Sequence, residues 1–158
     1  MAAPPAHEID DTATYEVTIA TDKGDIVMEL DPKLAPDTVN NFVALARQGF
    51  YDNLAFHRVV PEFVIQGGDP EGTGRGGPGY RFADEPVQGD YTLGAVAMAN
   101  AGPNSNGSQF FICIDDCRPK LAKSYNLFGY VTSGVDVTQQ ISQGDVMRAV
   151  TVVERPAA

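Results

Sequence analysis

Glycine and proline dominate one internal stretch of the chain, residues 67–79, which holds seven glycines and two prolines. Proline lacks the backbone donor that a helix or a central strand needs, and glycine loses the most conformational entropy when its backbone is fixed. A second turn-rich stretch, residues 100–107, contains three asparagines, two glycines and a proline. These two loops argue against a helix bundle and predict short elements joined by turns.

Outside these loops, apolar residues alternate with polar ones, which is the pattern of half-buried β-strands. Residues 15–19 alternate in this way, and residues 26–30 do so again after a polar turn, which predicts a β-hairpin. The run 109–114 is apolar on both faces of a strand, so neither face is expected to meet only solvent. Further strands are predicted over residues 54–60, 63–66, 93–99, 127–131 and 148–153.

Two helices are predicted among these strands. Pro36 and Asp37 open a run with apolar residues at helical spacing that ends at Gly49, and proline at the start with glycine at the end is typical of a helix. A weaker helix is predicted around Val137 and Ile141. Seven or eight strands with only two helices predict one closed or nearly closed antiparallel β-barrel.

The length of 158 residues fits one domain, and no composition shift marks a linker. Residues 1–12 are polar, contain prolines and have no periodicity, so we predict a flexible N-terminal tail there. The folded domain is predicted over residues 13–155, with residues 156–158 as a C-terminal tail.

The charge excludes several classes of function. Eleven basic residues stand against 21 acidic ones, a formal net charge of −10, which opposes binding to nucleic acid. No apolar stretch approaches the roughly 20 residues of a membrane helix, and the N-terminus lacks the basic and apolar regions of a signal peptide. The two cysteines, Cys113 and Cys117, give neither a disulfide framework nor zinc-ligand spacing. We therefore predict a cytoplasmic protein with reduced thiols, no membrane partner and no metal.

The chemistry-bearing residues gather in two tracts, 56–79 and 98–111. The glycine-rich loop lacks the Gly-Lys-Ser/Thr ending of a phosphate loop. A hydrolytic triad is hard to build because His57 is the only histidine in a structured stretch, and strand alternation places it opposite Arg58. A structural or surface role for His57 is the preferred interpretation, and Arg58 is by itself compatible with an ordinary surface arginine. The tracts offer donors, amides and apolar groups, but no nucleophile.

These tracts carry a family resemblance. The run Phe-His-Arg-x-x-Pro-x-Phe-x-x-Gln-Gly-Gly-Asp at 56–69 and the run Met-Ala-Asn-Ala-Gly-Pro-Asn-x-Asn-Gly-Ser-Gln-Phe-Phe-Ile at 98–112 resemble signatures of the cyclophilins, which are peptidyl-prolyl cis/trans isomerases. The similarity extends over residues 14–154 and is to the compact single-domain bacterial members. It implies a closed eight-stranded antiparallel β-barrel capped by two α-helices, with a peptide groove on its outer wall.

The resemblance also implies a set of site residues. The residues implied to be catalytic are Arg58, Phe63, Gln66 and Asn100. The residues implied to bind substrate are Val64, Gly72, Ala99, Ala101, Gln109, Phe111, Leu121 and Tyr125. In this assignment, Phe63, Phe111 and Leu121 form the walls of a proline pocket, and Gln66 and Asn100 hydrogen-bond the peptide backbone.

Three positions depart from the family pattern. Val64 stands where many members have methionine, and Tyr125 stands where many eukaryotic members have histidine. Lys120 occupies the place of a tryptophan that is linked to cyclosporin binding in those members. We therefore predict weakened affinity for cyclosporin.

The expected activity is isomerisation of Xaa-Pro bonds by noncovalent stabilisation of the twisted amide, which would assist protein folding. The expected partners are proline-containing peptides and unfolded or partly folded client proteins. The resemblance implies a monomer without a cofactor. The alternative is a module or chaperone that binds proline-containing segments with little isomerase activity.

Overall fold

The computed structural model describes residues 3–157, so Met1, Ala2 and Ala158 of the predicted tails lie outside it. The two helices of this region are α1 (Pro36–Arg47) and α2 (Val135–Thr138). Its strands are β1 (Thr14–Thr21), β2 (Gly24–Leu30), β3 (Leu54–Ala55), β4 (Arg58–Val60), β5 (Val64–Gly67), β6 (Ala95–Met98), β7 (Phe110–Cys113), β8 (Leu127–Ser133), β9 (Val146–Met147) and β10 (Ala149–Arg155).

Eight of the strands form one antiparallel sheet in the order β10-β1-β2-β8-β6-β7-β5-β4. The predicted mainly β chain with two helices is therefore confirmed. The predicted closure of the barrel is not seen: within residues 3–157, no hydrogen-bonded pairing joins the end strands β4 and β10. The physical reason is that the segments immediately before β4 and β10 pair with each other in a separate ladder.

That separate pairing is the two-stranded ladder of β3 and β9, in which Leu54 lies opposite Met147 and Ala55 opposite Val146. The Asn53 N–H also donates to the Met147 carbonyl at 2.7 Å. The ladder links the segment that leads into β4 with the segment that leads into β10. The predicted strand at 54–60 is therefore two short strands, β3 and β4, which belong to different sheets.

Helix α1 begins at Pro36 and has Asp37 in its first turn, and Gly49 follows its end with a φ of 75°. This is the helix that the sequence predicts, with acid near the positive end of the helix dipole. Helix α2 is a single turn after Gly134, whose φ is 83°. A side chain at Gly134 would collide with the Asp25 carbonyl, so this turn requires glycine. Among the described residues, no helix has the length and hydropathy to cross a bilayer.

The core is divided by β7 into two apolar clusters. Phe110 and Ile112 belong to the larger cluster between the sheet and α1. Phe111 and Cys113 belong to a smaller cluster on the opposite face. The prediction that both faces of this strand are covered is confirmed, and the smaller cluster is the platform on which the candidate site is built.

The segment before β1 lies against α1. The Asn40 side chain accepts hydrogen bonds from the N–H groups of Glu8 (2.8 Å) and Ile9 (3.3 Å). Its amide nitrogen donates to the Ala6 carbonyl at 3.1 Å. Ile9 is buried in the larger cluster. Part of the segment predicted as a tail thus contacts the folded body through Asn40, through the buried Ile9 and through the Glu8–Arg47 ion pair.

Candidate active site

Two adjoining cavities open on the side of the smaller cluster. The first, which we name the aromatic pocket, has a volume of about 500 Å³. It is lined by His57, Arg58, Phe63, Val64, Gln66, Thr73, Gly74, Ala99, Asn100, Phe111, Leu121 and Tyr125. The second, the loop pocket, has a volume of about 1000 Å³ and is lined by Gln66, Ser105 and residues 74–81, 99–101 and 107–109. The two pockets form one continuous groove, because both are lined by Gln66, Gly74, Ala99 and Asn100.

Strand register brings the polar groups of the groove together. Arg58 on β4 lies opposite Gln66 on β5, and Gln66 lies opposite Phe111 on β7. The Arg58 Nη1 donates to Gln66 Oε1 at 3.2 Å, and Gln66 Nε2 donates to Gln109 Oε1 at 3.1 Å. A guanidinium has five N–H donors, and this contact uses one. The remaining donors of the exposed Arg58 have no partner within the described residues, so they are available to a ligand.

The apolar part of the lining of the aromatic pocket is well supported by packing. Phe111 is 4% exposed and meets the Tyr125 ring edge to face, with centroids 5.5 Å apart. Tyr125 is itself held by Tyr91, whose hydroxyl donates to the Tyr125 carbonyl at 2.6 Å. Phe63 and Leu121 pack against the same cluster. The arrangement offers a preformed apolar recess for a small ring.

Asn100 offers its backbone groups to the groove, because its side chain is already hydrogen-bonded within the neighbouring loops. Its amide nitrogen donates to the Ser124 carbonyl at 2.9 Å, and its Oδ1 accepts from the Gly102 N–H at 3.2 Å. The backbone N–H and C=O of Asn100 have no partner within residues 3–157. Two free polar backbone groups beside an apolar pocket are suited to pairing with an extended peptide.

The loop after β5 is organised around the buried carboxylate of Asp69. The N–H groups of Glu71 (2.8 Å), Thr73 (2.9 Å) and Gly74 donate to it. Although burial alone would raise the pKa of Asp69, these backbone donors hold that pKa below its ordinary value. A side chain at Gly76 would collide with the same carboxylate. The irregular loop is therefore fixed without regular secondary structure.

His57 lines the aromatic pocket together with Arg58. Strand alternation predicts instead that the two side chains lie on opposite faces. The difference arises because β4 begins at Arg58, so strand geometry does not extend to His57. Both ring nitrogens are buried without a hydrogen-bond partner. Burial lowers the pKa of His57, while Asp69 opposes the shift and Arg58 adds to it. The ring is neutral at pH 7 and acts as part of the pocket wall.

Most of the predicted site residues meet in this groove. Those that line the aromatic pocket are Arg58, Phe63, Val64, Gln66, Ala99, Asn100, Phe111, Leu121 and Tyr125. Ala101 and Gln109 line the loop pocket, whereas Gly72 lines neither pocket, and its assignment stays a prediction.

Sequence reasoning did not assign several side chains that also line the groove, among them His57, Thr73, Arg75 and Arg81. The last three lie on segments without regular secondary structure, where no periodicity indicates which way a side chain points. The only available signal was their position in the irregular segment that follows the Gln-Gly-Gly-Asp run.

The chain is similar in sequence to known proteins of one family. The family model described as cyclophilin type peptidyl-prolyl cis-trans isomerase/CLD matches residues 16–157. Peptidyl-prolyl cis-trans isomerase B of Bacillus subtilis is 50% identical over 133 residues, which cover 83% of this chain and 92% of that protein. A peptidyl-prolyl cis-trans isomerase of Helicobacter pylori is 44% identical over 157 residues, covering 90% of this chain and 96% of that protein.

Solved structures agree as well. The crystal structure of a Cryptosporidium parvum cyclophilin type peptidyl-prolyl cis-trans isomerase superposes with a TM-score of 0.82 at 33% identity, covering 90% of this chain and 99% of that one. A second crystal structure of the same parasite protein, obtained in the presence of the dipeptide Ala-Pro, gives a TM-score of 0.80 at 33% identity over 87% of this chain and 98% of that one.

Proposed function

The chain belongs to the cyclophilin-type peptidyl-prolyl cis-trans isomerases, and from this membership we propose that its groove binds an Xaa-Pro segment with the proline ring in the aromatic pocket. The activity is isomerisation of the peptide bond before proline. One observation carries the placement: Arg58, with free donors, stands at the mouth of a pocket walled by Phe63, Phe111 and Leu121. The Ala-Pro dipeptide accompanies a structural neighbour, which supports a proline-containing peptide as the ligand.

Amide resonance keeps the bond planar behind a barrier of about 18–20 kcal/mol. Rotation breaks no covalent bond, so the site needs no nucleophile. In the twisted state the proline nitrogen regains its lone pair, and a donor aimed at that nitrogen favours the twisted amide over both planar forms. Arg58 is the donor at the pocket mouth, so we assign this role to it.

The other groove residues hold the two ends of the rotating bond. Phe63, Phe111 and Leu121 contact the proline ring. Gln66 and the Asn100 backbone form hydrogen bonds with the adjacent peptide. The Arg58–Gln66 contact of 3.2 Å fixes the guanidinium on the groove side of β4. A single charge-assisted hydrogen bond contributes about 1.5–3 kcal/mol, so positioning and desolvation supply the rest of the acceleration. Val64, Ala99, Ala101, Gln109 and Tyr125 complete the proposed surface, and Gly72 is proposed to border it.

The direct test is exchange spectroscopy by NMR on a short Ala-Pro peptide with catalytic amounts of the protein. We expect cis/trans exchange, which takes tens of seconds or longer without catalyst, to become fast enough to produce exchange cross-peaks. A protein that binds the peptide but leaves its exchange rate unchanged would instead be a binding module or chaperone for proline-containing segments.

We propose that cyclosporin binds this protein weakly. Lys120 donates to the Glu62 carbonyl and lies over the Phe63 ring at 5.9 Å, so a solvated cation stands at the rim of the apolar pocket. Replacing Lys120 with Trp removes that cation and adds apolar area, which we expect to tighten cyclosporin binding at least tenfold by isothermal titration calorimetry. Lys33→Trp, remote from the groove, is the control. Equal affinity of the wild type and K120W would contradict the proposal.

We also propose that the sheet forms a closed barrel through side chains and the β3–β9 ladder rather than through pairing of β4 with β10. The support is a single large cluster that contains Ile65 of β5 and Val150 of β10. Met147 of β9 also lies against Gly67 of β5.

The proposed isomerase domain spans residues 13–155, between tails at 1–12 and 156–158. Hydrogen exchange at the Glu8 and Ile9 amides, which donate to Asn40, measures how mobile the first tail is. Exchange as slow as that of α1 would contradict a flexible tail.

We propose that the protein acts as a monomer in the cytoplasm on unfolded or partly folded clients. Two observations support this. Leu93 and Val153 are the large apolar side chains exposed within the described residues, and they form too small an area for a stable interface. Both cysteines are free, which fits a reducing compartment. Sedimentation equilibrium tests the oligomeric state.

A further inference from the structure

The basic residues of this acidic protein are divided between two environments. Of its eleven lysines and arginines, six form ion pairs within the described residues. The five without an ion pair in that region are Lys33, Arg58, Arg75, Arg81 and Lys120. Four of these five stand at the groove: Arg58 in the aromatic pocket, Arg75 and Arg81 in the loop pocket, and Lys120 over Phe63.

The acidic residues show the opposite distribution. Twenty-one aspartates and glutamates are present in the chain, yet none lines either pocket of the groove. Of those nearest in sequence, Glu71 is exposed and its carboxylate approaches Gly76 of the loop pocket, whereas Asp84 and Asp69 are held by other groups. Asp84 accepts from the Asn104 N–H and the Asn106 amide, and Asp69 is enclosed by backbone N–H groups. The groove is thus a positive recess in a protein of net charge −10.

The backbone that carries Arg75 and Arg81 is held in place on three sides. The Asp69 carboxylate anchors the start of the loop, and Gln109 Nε2 donates to the Gly76 carbonyl at 3.0 Å. The Tyr80 hydroxyl donates to Asn41 of α1, and burial raises the pKa of Tyr80 to about 12, so it remains a donor. The two guanidinium groups themselves have no hydrogen-bond partner among the described residues.

From this arrangement we propose that the loop pocket selects peptides with an acidic side chain close to the isomerised Xaa-Pro bond, and that Arg75 and Arg81 determine this preference. The inference rests on the groove assigned above and adds a substrate class to it. A carboxylate in the loop pocket finds two forked donors among the lining residues. The Asp69 and Glu71 carboxylates approach Gly76 but do not themselves line the pocket. The overall charge of −10 repels an acidic peptide at long range, but salt screens that repulsion beyond about 10 Å at 0.1 M.

The expected preference is moderate because both arginines are exposed. Exposed ion pairs are individually weak, so we expect kcat/KM for an acidic peptide to exceed that of its neutral analogue by about threefold to tenfold. The contact lies away from the rotating bond and is made equally in the planar and twisted states. The difference is therefore expected in KM and not in kcat.

The test uses hexapeptides with a central Ala-Pro bond in which one flanking residue at a time, on either side, is Glu, Gln or Lys. Exchange rates are measured by NMR for the wild type, for Arg75→Gln and Arg81→Gln, and for the charge-matched control Lys33→Gln. We expect Glu to be preferred over Gln, and Gln over Lys, at one flanking position. Each pocket variant should lower the Glu/Gln ratio, and the control should keep it. Salt at about 0.5 M should lower the ratio in the wild type.

Two results would overturn the inference alone: equal kcat/KM for Glu and Gln peptides at every position, or a Glu/Gln ratio that persists in both pocket variants. If the wild type accelerates exchange in the Gln peptides, the same experiment shows that the proposed isomerase activity holds even where the inference fails. A wild type that accelerates none of the peptides would overturn the proposed function together with the inference.

Discussion

At the scale of single residues, Arg58 is the side chain on which the proposed chemistry depends most. It is exposed and makes one hydrogen bond, to Gln66 at 3.2 Å. Arg58→Ala should lower kcat/KM about 10- to 150-fold, which corresponds to the loss of a charge-assisted hydrogen bond worth about 1.5–3 kcal/mol. The free energy of unfolding should change by no more than about 0.5 kcal/mol, as for other surface substitutions.

Isomerase kinetics and urea denaturation of the same variant check both parts of this prediction. Lys33→Ala removes another cation that has no ion pair in the described residues, and it should leave both quantities unchanged. An R58A protein with wild-type turnover would remove Arg58 from the chemical role. A large loss of stability would instead make it a structural residue.

His57 gives the site its pH dependence. Its pKa is lowered by burial, so the ring stays neutral to a lower pH than an ordinary histidine. Because the proposed mechanism uses no titrating group, we expect kcat/KM to be constant from pH 9 to about 6. The unfolded chain binds the proton more readily, with a pKa near 6.5. The contribution of His57 to stability is therefore complete above that value and is lost as the pH falls towards the lower folded pKa.

Urea denaturation between pH 7 and pH 5 measures this effect, and His57→Gln should show a weaker pH dependence than the wild type because it cannot be protonated. The same variant should keep activity in mildly acidic buffer better than the wild type. A bell-shaped rate profile centred near neutrality would contradict the noncovalent mechanism and indicate acid–base chemistry.

The two signature runs predicted most of the groove residues because these residues lie close together in the sequence, within two short segments. Arg58, Gln66 and Phe111 are brought together by strand register, which alternation in the sequence indicates. Arg75 and Arg81 were missed because they lie in a glycine-rich segment without regular secondary structure. Their position depends on Asp69 and Gln109, through contacts that no local pattern reveals.

At the scale of elements, the loop after β5 behaves as a rigid unit because of Asp69, which is 1% exposed. Asp69→Asn keeps the shape but replaces a charged acceptor with an amide that has one acceptor oxygen. We expect a loss of about 1–3 kcal/mol in the free energy of unfolding and a higher KM, since the loop lines both pockets. Limited proteolysis should cut the variant faster within residues 70–79.

The neighbouring exposed carboxylate supplies the control, because Glu71→Gln removes the same charge without touching the backbone donors. The sign of the pH effect follows from the lowered pKa of Asp69: its contribution is present above about pH 4 and is lost as the pH falls through the folded value. Equal stability of D69N and E71Q would contradict the anchoring role.

The strands and α1 were predictable because their hydrophobic periods are regular, whereas the split of 54–60 into β3 and β4 was not. Ala55 pairs with Val146, and Arg58 pairs with Gln66. Only the three-dimensional arrangement determines that these partners lie in different sheets. In the same way, α2 is shorter than its pattern indicates because Gly144 and Asp145 turn back to meet Phe56.

At the scale of the whole molecule, the two apolar clusters on either side of β7 support each other. The smaller cluster places both cysteines beneath the proposed proline pocket: Cys113 and Cys117 are fully buried, and the Cys117 thiol donates to the Phe63 carbonyl at 3.3 Å. Burial raises the pKa of both thiols, and the thiolate is the reactive form. Neither thiol should therefore react while the smaller cluster stays packed.

Thiol labelling consequently reports on the opening of the whole pocket side of the molecule. With an aromatic disulfide reagent at pH 8, we expect negligible labelling of the native protein over minutes and two thiols per chain in guanidinium chloride. Cys117→Ser identifies which thiol reacts first. A saturating Ala-Pro peptide should slow labelling further, because it binds only the form in which the aromatic pocket is intact. Rapid native labelling that the peptide does not slow would show that the small cluster opens independently of the groove, and that the aromatic pocket is not preformed.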